Sequence, residues 1–303
     1  MRLLNRTPPR RADADLTYFS VSEANDFRRM VERSFAAAGR EVAVYPDRVE
    51  DRSGTTFRLW NIGALCVGAS PGDWPALVDD HIRLVTTPTR ELSDLSQEEI
   101  ESALTLRLVE TVSVREPDAL GYARVVAPGL LEVLAVDLPD SVATPTREEL
   151  AERGTIGNLL DRGRENLHGL LRDPSLVAET VGEGEHGRFT AVTGGSVFTA
   201  SLALLLPEAV EHFTDENDWG RGFLVAVPNR HQLLWRPIDR ADASVALDRM
   251  VEAALRGFAA GAGPLSPDVY WVRNRTWVQG TSYASGKARV LRDTGLRELL
   301  KSL

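Results

Sequence analysis

Apolar positions along the chain alternate between helical and strand spacing. After Ser20-Val21-Ser22-Glu23, which has the spacing of a capping box, Phe27, Met30, Val31 and Phe35 recur on one helical face and predict a first helix. Glu41 to Tyr45 and Thr56 to Trp60 read as strands around a polar turn containing Ser53-Gly54, and Leu65-Cys66-Val67 extends the pairing. Pro71-Gly72-Asp73 ends that stretch, and a helix through Leu77, Val78 and Ile82 follows. The polar segment Pro88 to Ser96 is the best candidate boundary, giving an N-terminal α+β domain over 1–95, with flexible first residues, and a second over 96–303 that ends in a helical tail.

The second region opens on another capping box, Ser96-Gln97-Glu98-Glu99, with Ile100, Ala103, Leu104 and Leu108 at helical steps behind it. Tyr122 to Val126 and Leu130 to Leu138 read as strands joined at Ala127-Pro128-Gly129. Thr146-Arg147-Glu148-Glu149 is a third box, and Leu159, Leu160, Leu167, Leu170 and Leu171 mark a helix beyond it. Phe189 to Val192 predicts a strand and Ser196 to Leu206 a helix with Ser196 as its N-cap. Gly222 to Val227 and Leu233 to Pro237 pair around Pro228-Asn229-Arg230, followed by a helix that buries Val245, Met250, Val251, Ala254 and Phe258. Val269 to Val272 and Thr276 to Val278 form a last hairpin. A unit of strand, proline turn, strand and helix thus recurs, with Val125-Val126-Ala127-Pro128 and Val225-Ala226-Val227-Pro228 in matching places. Such units predict an α+β fold of antiparallel strand pairs with helices on one face.

Composition narrows the function classes. Of 303 residues, 43% are hydrophobic and 26% charged, which is ordinary for a folded globular chain. A net charge of −9 repels a phosphate backbone on average and disfavours nucleic acid; it would steer a basic partner instead. Arg2, Arg6, Arg10 and Arg11 read as a solvated arm. Lysine occurs only at Lys287 and Lys301, so Schiff-base or P-loop chemistry has almost nothing to use. Cys66 is the only cysteine and lies in an apolar run, where a buried structural thiol is expected. Met1 to Asn5 lacks the apolar stretch of a signal peptide, and no run is long enough to span a membrane. A bacterial cytoplasm is the expected location, with no membrane partner.

Catalytic patterns are incomplete. Gly182-Glu183-Gly184-Glu185-His186-Gly187 lacks the strand and helix of a nucleotide fingerprint, and Ser285-Gly286-Lys287 lacks the first glycine of a P-loop. The five histidines make no i, i+4 pair; Glu165 with His168, and Glu208 with His212, read as surface pairs, and Asp215, Asn217 and Asp218 as an acidic turn. No catalytic residue, metal or cofactor is expected. Ser196 has Phe198 where a nucleophile elbow needs glycine, so a triad of Ser196, Asp218 and His231 is only a rival reading, that of a hydrolase or transferase. What stands out is the turn Pro228-Asn229-Arg230-His231 and the segment Tyr270 to Trp277, which interleaves aromatics with arginines, a composition enriched in binding hot spots. The candidate binding residues are Asn229, Arg230, His231, Trp271 and Arg273.

Leu134-Ala135-Val136-Asp137-Leu138-Pro139-Asp140-Ser141, Glu165-Asn166-Leu167 and Val225-Ala226-Val227-Pro228-Asn229-Arg230 together resemble the bacterial DUF1444 family over about residues 97–275. In that family the turn often reads Pro-Asn-Arg-Asp, and His231 replaces the acidic residue. The family has no established activity, so the resemblance implies a fold unit and no catalytic residue. The leading expectation is a non-enzymatic, cytoplasmic module of the adaptor or immunity kind that binds another protein. A small-molecule or nucleotide sensor is the third reading.

Overall fold

The computed structural model describes residues 11–52, 54–86, 92–114, 117–139, 141–182, 186–215, 220–238, 242–284, 287–291 and 295–302. Arg2, Arg6, Arg10, Ser53, Pro88, the centre of the 182–187 loop, Asn217, Asp218 and Ser285-Gly286 lie outside these residues. The fold is α+β, its paired strands antiparallel, and the chain divides into two compact units, Met1–Thr89 and Arg90–Leu303. No helix among the described residues is long and apolar enough to cross a membrane.

In the first unit, helix α1 (Val21–Ala37) starts at a complete capping box, Ser20 with Glu23, and buries Phe27, Val31 and Phe35. Strands β1 (Val42–Val44), β2 (Arg48–Asp51) and β3 (Thr56–Arg58) form a meander. Strand β2 escapes the sequence pattern because only Val49 in it is buried. Leu65-Cys66-Val67, expected to extend the pairing, instead ends helix α2 (Trp60–Val67), in which Gly63 admits the Tyr18 ring where a side chain would collide. Helix α3 (Trp74–Thr86) buries Val78 and Ile82 against the same core.

The second unit begins with helix α4 (Gln97–Ala103), behind the Ser96–Glu99 box. The expected helical run ends there, because Leu104–Glu110 is strand β4. Leu104, Leu106 and Leu108 satisfy a two-residue period as well as a helical one, and pairing with the long strand β6 decides between them. Strands β5 (Arg124–Ala127), β6 (Leu130–Leu138) and β7 (Ser141–Ala143) complete a four-stranded sheet. Helix α5 (Arg147–Ala151) carries the third box, and α6 (Ile156–Gly169) packs on β4 and β6 through Gly163, where an added Cβ would lie 2.8 Å from Leu134. On α6, Asn166 donates to the carbonyls of Glu101 and Leu104 and ties the helix to the α4–β4 junction.

Strands β8 (Val177–Val181) and β9 (Phe189–Thr193) lead into a second sheet. The expected helix from Ser196 is a 3₁₀ run, Thr199–Leu205, followed by α7 (Leu206–Phe213). Pro207 has no N–H to give to the preceding turn, so the α-helix starts at that point. Ser196 Oγ accepts from the Phe198 N–H within a turn and does not cap the 3₁₀ run, whose N-cap position is Phe198. Strands β10 (Phe223–Ala226) and β11 (Gln232–Pro237) flank the proline turn, and α8 (Ala243–Ala260) follows. Val245 is 43% exposed, because the buried stripe of α8 runs through Ala243, Ala246, Leu247, Met250 and Ala254. Strands β12 (Val269–Arg273) and β13 (Thr276–Gln279) make the predicted hairpin; a further hairpin, β14 (Thr281–Ala284) with β15 (Lys287–Val290), precedes α9 (Leu296–Lys301).

The sheet order β13-β12-β10-β11-β9-β8 separates two cores by strict alternation. Val192, Phe223, Val225, Leu233, Trp235 and Tyr270 join β4, β6, α6 and the 3₁₀ run on one face. Ala191, Leu224, Ala226, Leu234 and Val269 meet Leu247, Met250 and Ala254 of α8 on the other.

Candidate functional site

The β12–β13 hairpin closes with a two-residue loop, Asn274-Arg275, between the paired residues Arg273 and Thr276. Both loop residues have positive φ, +50° and +61°, the pattern of a type I′ turn. Such a turn favours asparagine and then glycine, so Asn274 conforms and Arg275 does not. A β-carbon in that conformation costs about 1 kcal/mol. Arginine therefore stands at a position where the backbone alone would select glycine.

This hairpin borders a cleft of about 550 Å³ in the second unit, lined also by residues of β5, α6, the 3₁₀ run and β10. Leu204, Leu206, Pro207, Phe223 and Trp277 line its apolar part; Arg124 of β5, Arg164 of α6, Arg273 and Arg275 line its polar part. Arg124 donates to Glu132 Oε2 at 2.5 Å, and this hydrogen bond holds its guanidinium more firmly protonated than usual. The side chains of Arg164, Arg273 and Arg275 have neither a hydrogen-bond nor an ion-pair partner among the described residues. Four arginines thus line the cleft, and only Arg124 has a carboxylate partner among the described residues. Gly222, at φ +83°, lines the cleft where any Cβ would run into the Val272 carbonyl.

The five predicted residues fall at three places. Arg273 lines the cleft. Trp271 belongs to the opposite core, and its Nε1 donates to the Arg221 carbonyl at 2.8 Å, so it packs and does not present itself. Asn229 is buried; its Nδ2 donates to the Gly257 carbonyl at 3.0 Å and its Oδ1 accepts the His231 N–H at 3.0 Å. That is the work of a turn clamp. Arg230 Nε donates to His231 Nε2 at 3.0 Å, which leaves the ring proton on Nδ1, facing the Gly194 carbonyl at 3.2 Å. Burial, then the charge of Arg230, pushes the His231 pKa down against the pull of the Gly194, Ser196 and Gly195 backbone, so the ring is neutral.

Arg124, Arg164, Arg275 and Trp277 were not among the predicted residues. The segment 270–277 was legible from its composition, but the face it presents depends on where the hairpin turns. Arg124 and Arg164 carry no local signal, since tertiary packing alone brings them to Arg273. For the rival triad, the His231 ring nitrogens are engaged by Arg230 and Gly194, which leaves neither to accept a proton from Ser196 in this arrangement. Among the described residues no three His, Cys, Asp or Glu side chains gather to hold a metal ion. No family model, curated protein or solved structure matches the chain.

Proposed function

We propose that the chain is a protein-binding module of the adaptor or immunity kind, working in a bacterial cytoplasm, and that the arginine cleft takes up an acidic, partly apolar segment of its partner. The observation that carries this reading is the cleft itself: three arginines without a carboxylate, arranged around Leu204, Pro207 and Trp277. Guanidinium forks match carboxylates two bonds at a time, and arginine and tryptophan dominate interface hot spots. A volume near 550 Å³ takes a few side chains of an extended segment. The net charge of −9 alone favours a basic partner, but fields are screened beyond about 8 Å at physiological salt, so the arginines decide at contact. Kinship with the DUF1444 family over 97–275 is part of the same proposal; the segments that support it form β6, α6 and the β10 turn, all in one unit.

Fluorescence anisotropy with a labelled peptide alternating Glu and Leu tests the reading. The peptide binds and weakens as salt is raised, the Gln-for-Glu version binds at least about tenfold more weakly, and Arg273→Ala and Arg164→Ala each cost about 1.4 kcal/mol, a further tenfold. Equal binding of the two peptides would contradict it.

A further inference from the structure

A second cleft holds a charge that the first does not explain. Arg107 sits in the middle of β4, opposite Val133 of β6, between the fully enclosed Leu106 and Leu108. Its Nε is buried without an acceptor, and the guanidinium forms no hydrogen bond or ion pair among the described residues. Its charged neighbours are of both signs. Burial lowers the Arg107 pKa most, Arg230 lowers it further, and only Asp137 opposes them, while burial pushes Asp137 itself toward the neutral acid. A half-buried guanidinium whose only favourable charge is Asp137, with no hydrogen bond between the two, is costly, and a strand of this sheet would be more stable with an apolar residue there.

Arg107 lines a cavity of about 370 Å³ walled by Val109, Val114, Ala119 and Leu120. Of the three hydroxyls at its edge, Ser113 already donates to the Glu110 carbonyl and Thr146 to Glu149, which leaves Thr144. The polar capacity is therefore one planar fork and one hydroxyl, within apolar walls. A dianionic phosphate needs more donors than that; a monoanionic carboxylate is satisfied by the fork. We propose that this cavity is a binding site for a small organic carboxylate, its carboxylate paired with Arg107 and its short apolar body held against Val109, Val114, Ala119 and Leu120. The site is independent of the arginine cleft.

Calorimetric titration of the full chain with hexanoate, hexan-1-ol and inorganic phosphate tests this. Hexanoate binds saturably at one site and raises the melting temperature, whereas hexan-1-ol and phosphate do neither. Arg107→Met abolishes hexanoate binding while melting at or above the wild-type temperature; Arg107→Lys, which keeps the charge and loses the fork, weakens it at least about tenfold and serves if the first variant does not fold. Arg273→Ala leaves hexanoate binding unchanged. No saturable binding of hexanoate up to about 10 mM, the range of weak single-fork sites, would overturn the proposal. Equal binding by Arg107→Met, or binding of phosphate in place of hexanoate, would overturn it too.

Discussion

Asp13 accepts hydrogen bonds from both terminal nitrogens of Arg28, at 3.0 and 2.7 Å, and from the backbone of Leu16 and Asp15. The Arg28 hydrogen bonds are the main reason its pKa falls from 3.8 to about 2, against the opposing effect of burial. Because the folded chain holds this proton less tightly than the unfolded one, the stabilisation is complete above pH 3.8 and disappears as the pH falls through about 2. Melting curves of wild type and Asp13→Asn should differ near neutrality and converge by about pH 2; a gap that stays constant across that range would show that the charge of Asp13 is not what stabilises. Cys66 shows how far a single residue can be read from sequence. Its apolar neighbours imply burial, and burial pushes its thiol up to about 11. Arg107 shows the opposite, since one arginine in an apolar run is conspicuous only once the run is known to be a strand.

At the level of elements, the three capping boxes were legible because each is a local exchange of two hydrogen bonds, and all three are complete at Ser20, Ser96 and Thr146. The β5–β6 and β10–β11 pairs were legible from their proline turns. Strand β4 and helix α2 were not, because their apolar spacing admits both periods and long-range packing makes the choice. The β10–β11 turn also shows why a conspicuous motif need not be a binding surface. Asn229 seats that turn on the end of α8, where Gly257 and Gly261 leave room that a Cβ on either would fill. Asn229→Ala therefore unseats the turn: the Gly257 carbonyl keeps only the Gly261 N–H and the His231 N–H loses its acceptor, at a cost of about 2 kcal/mol. Chemical denaturation should register that loss with peptide affinity at the arginine cleft unchanged, since Asn229 does not line it. A variant of wild-type stability would mean that the clamp contributes nothing.

Across the whole molecule the charge is unevenly spent, with 44 acidic residues against 35 basic ones overall but four arginines around one cleft. Net charge was readable at once, whereas the cleft needed α6, β5 and the β12–β13 hairpin to converge. Stability and recognition pull in opposite directions at Arg275, whose side chain faces the cleft from a turn that prefers glycine. Arg275→Gly separates the two. Measured on the same preparation, the variant should be more stable by about 1 kcal/mol and should bind the Glu-Leu peptide about tenfold more weakly. A variant that gains stability and keeps the full affinity of the wild type would contradict the account, because the arginine would then be strain without purpose.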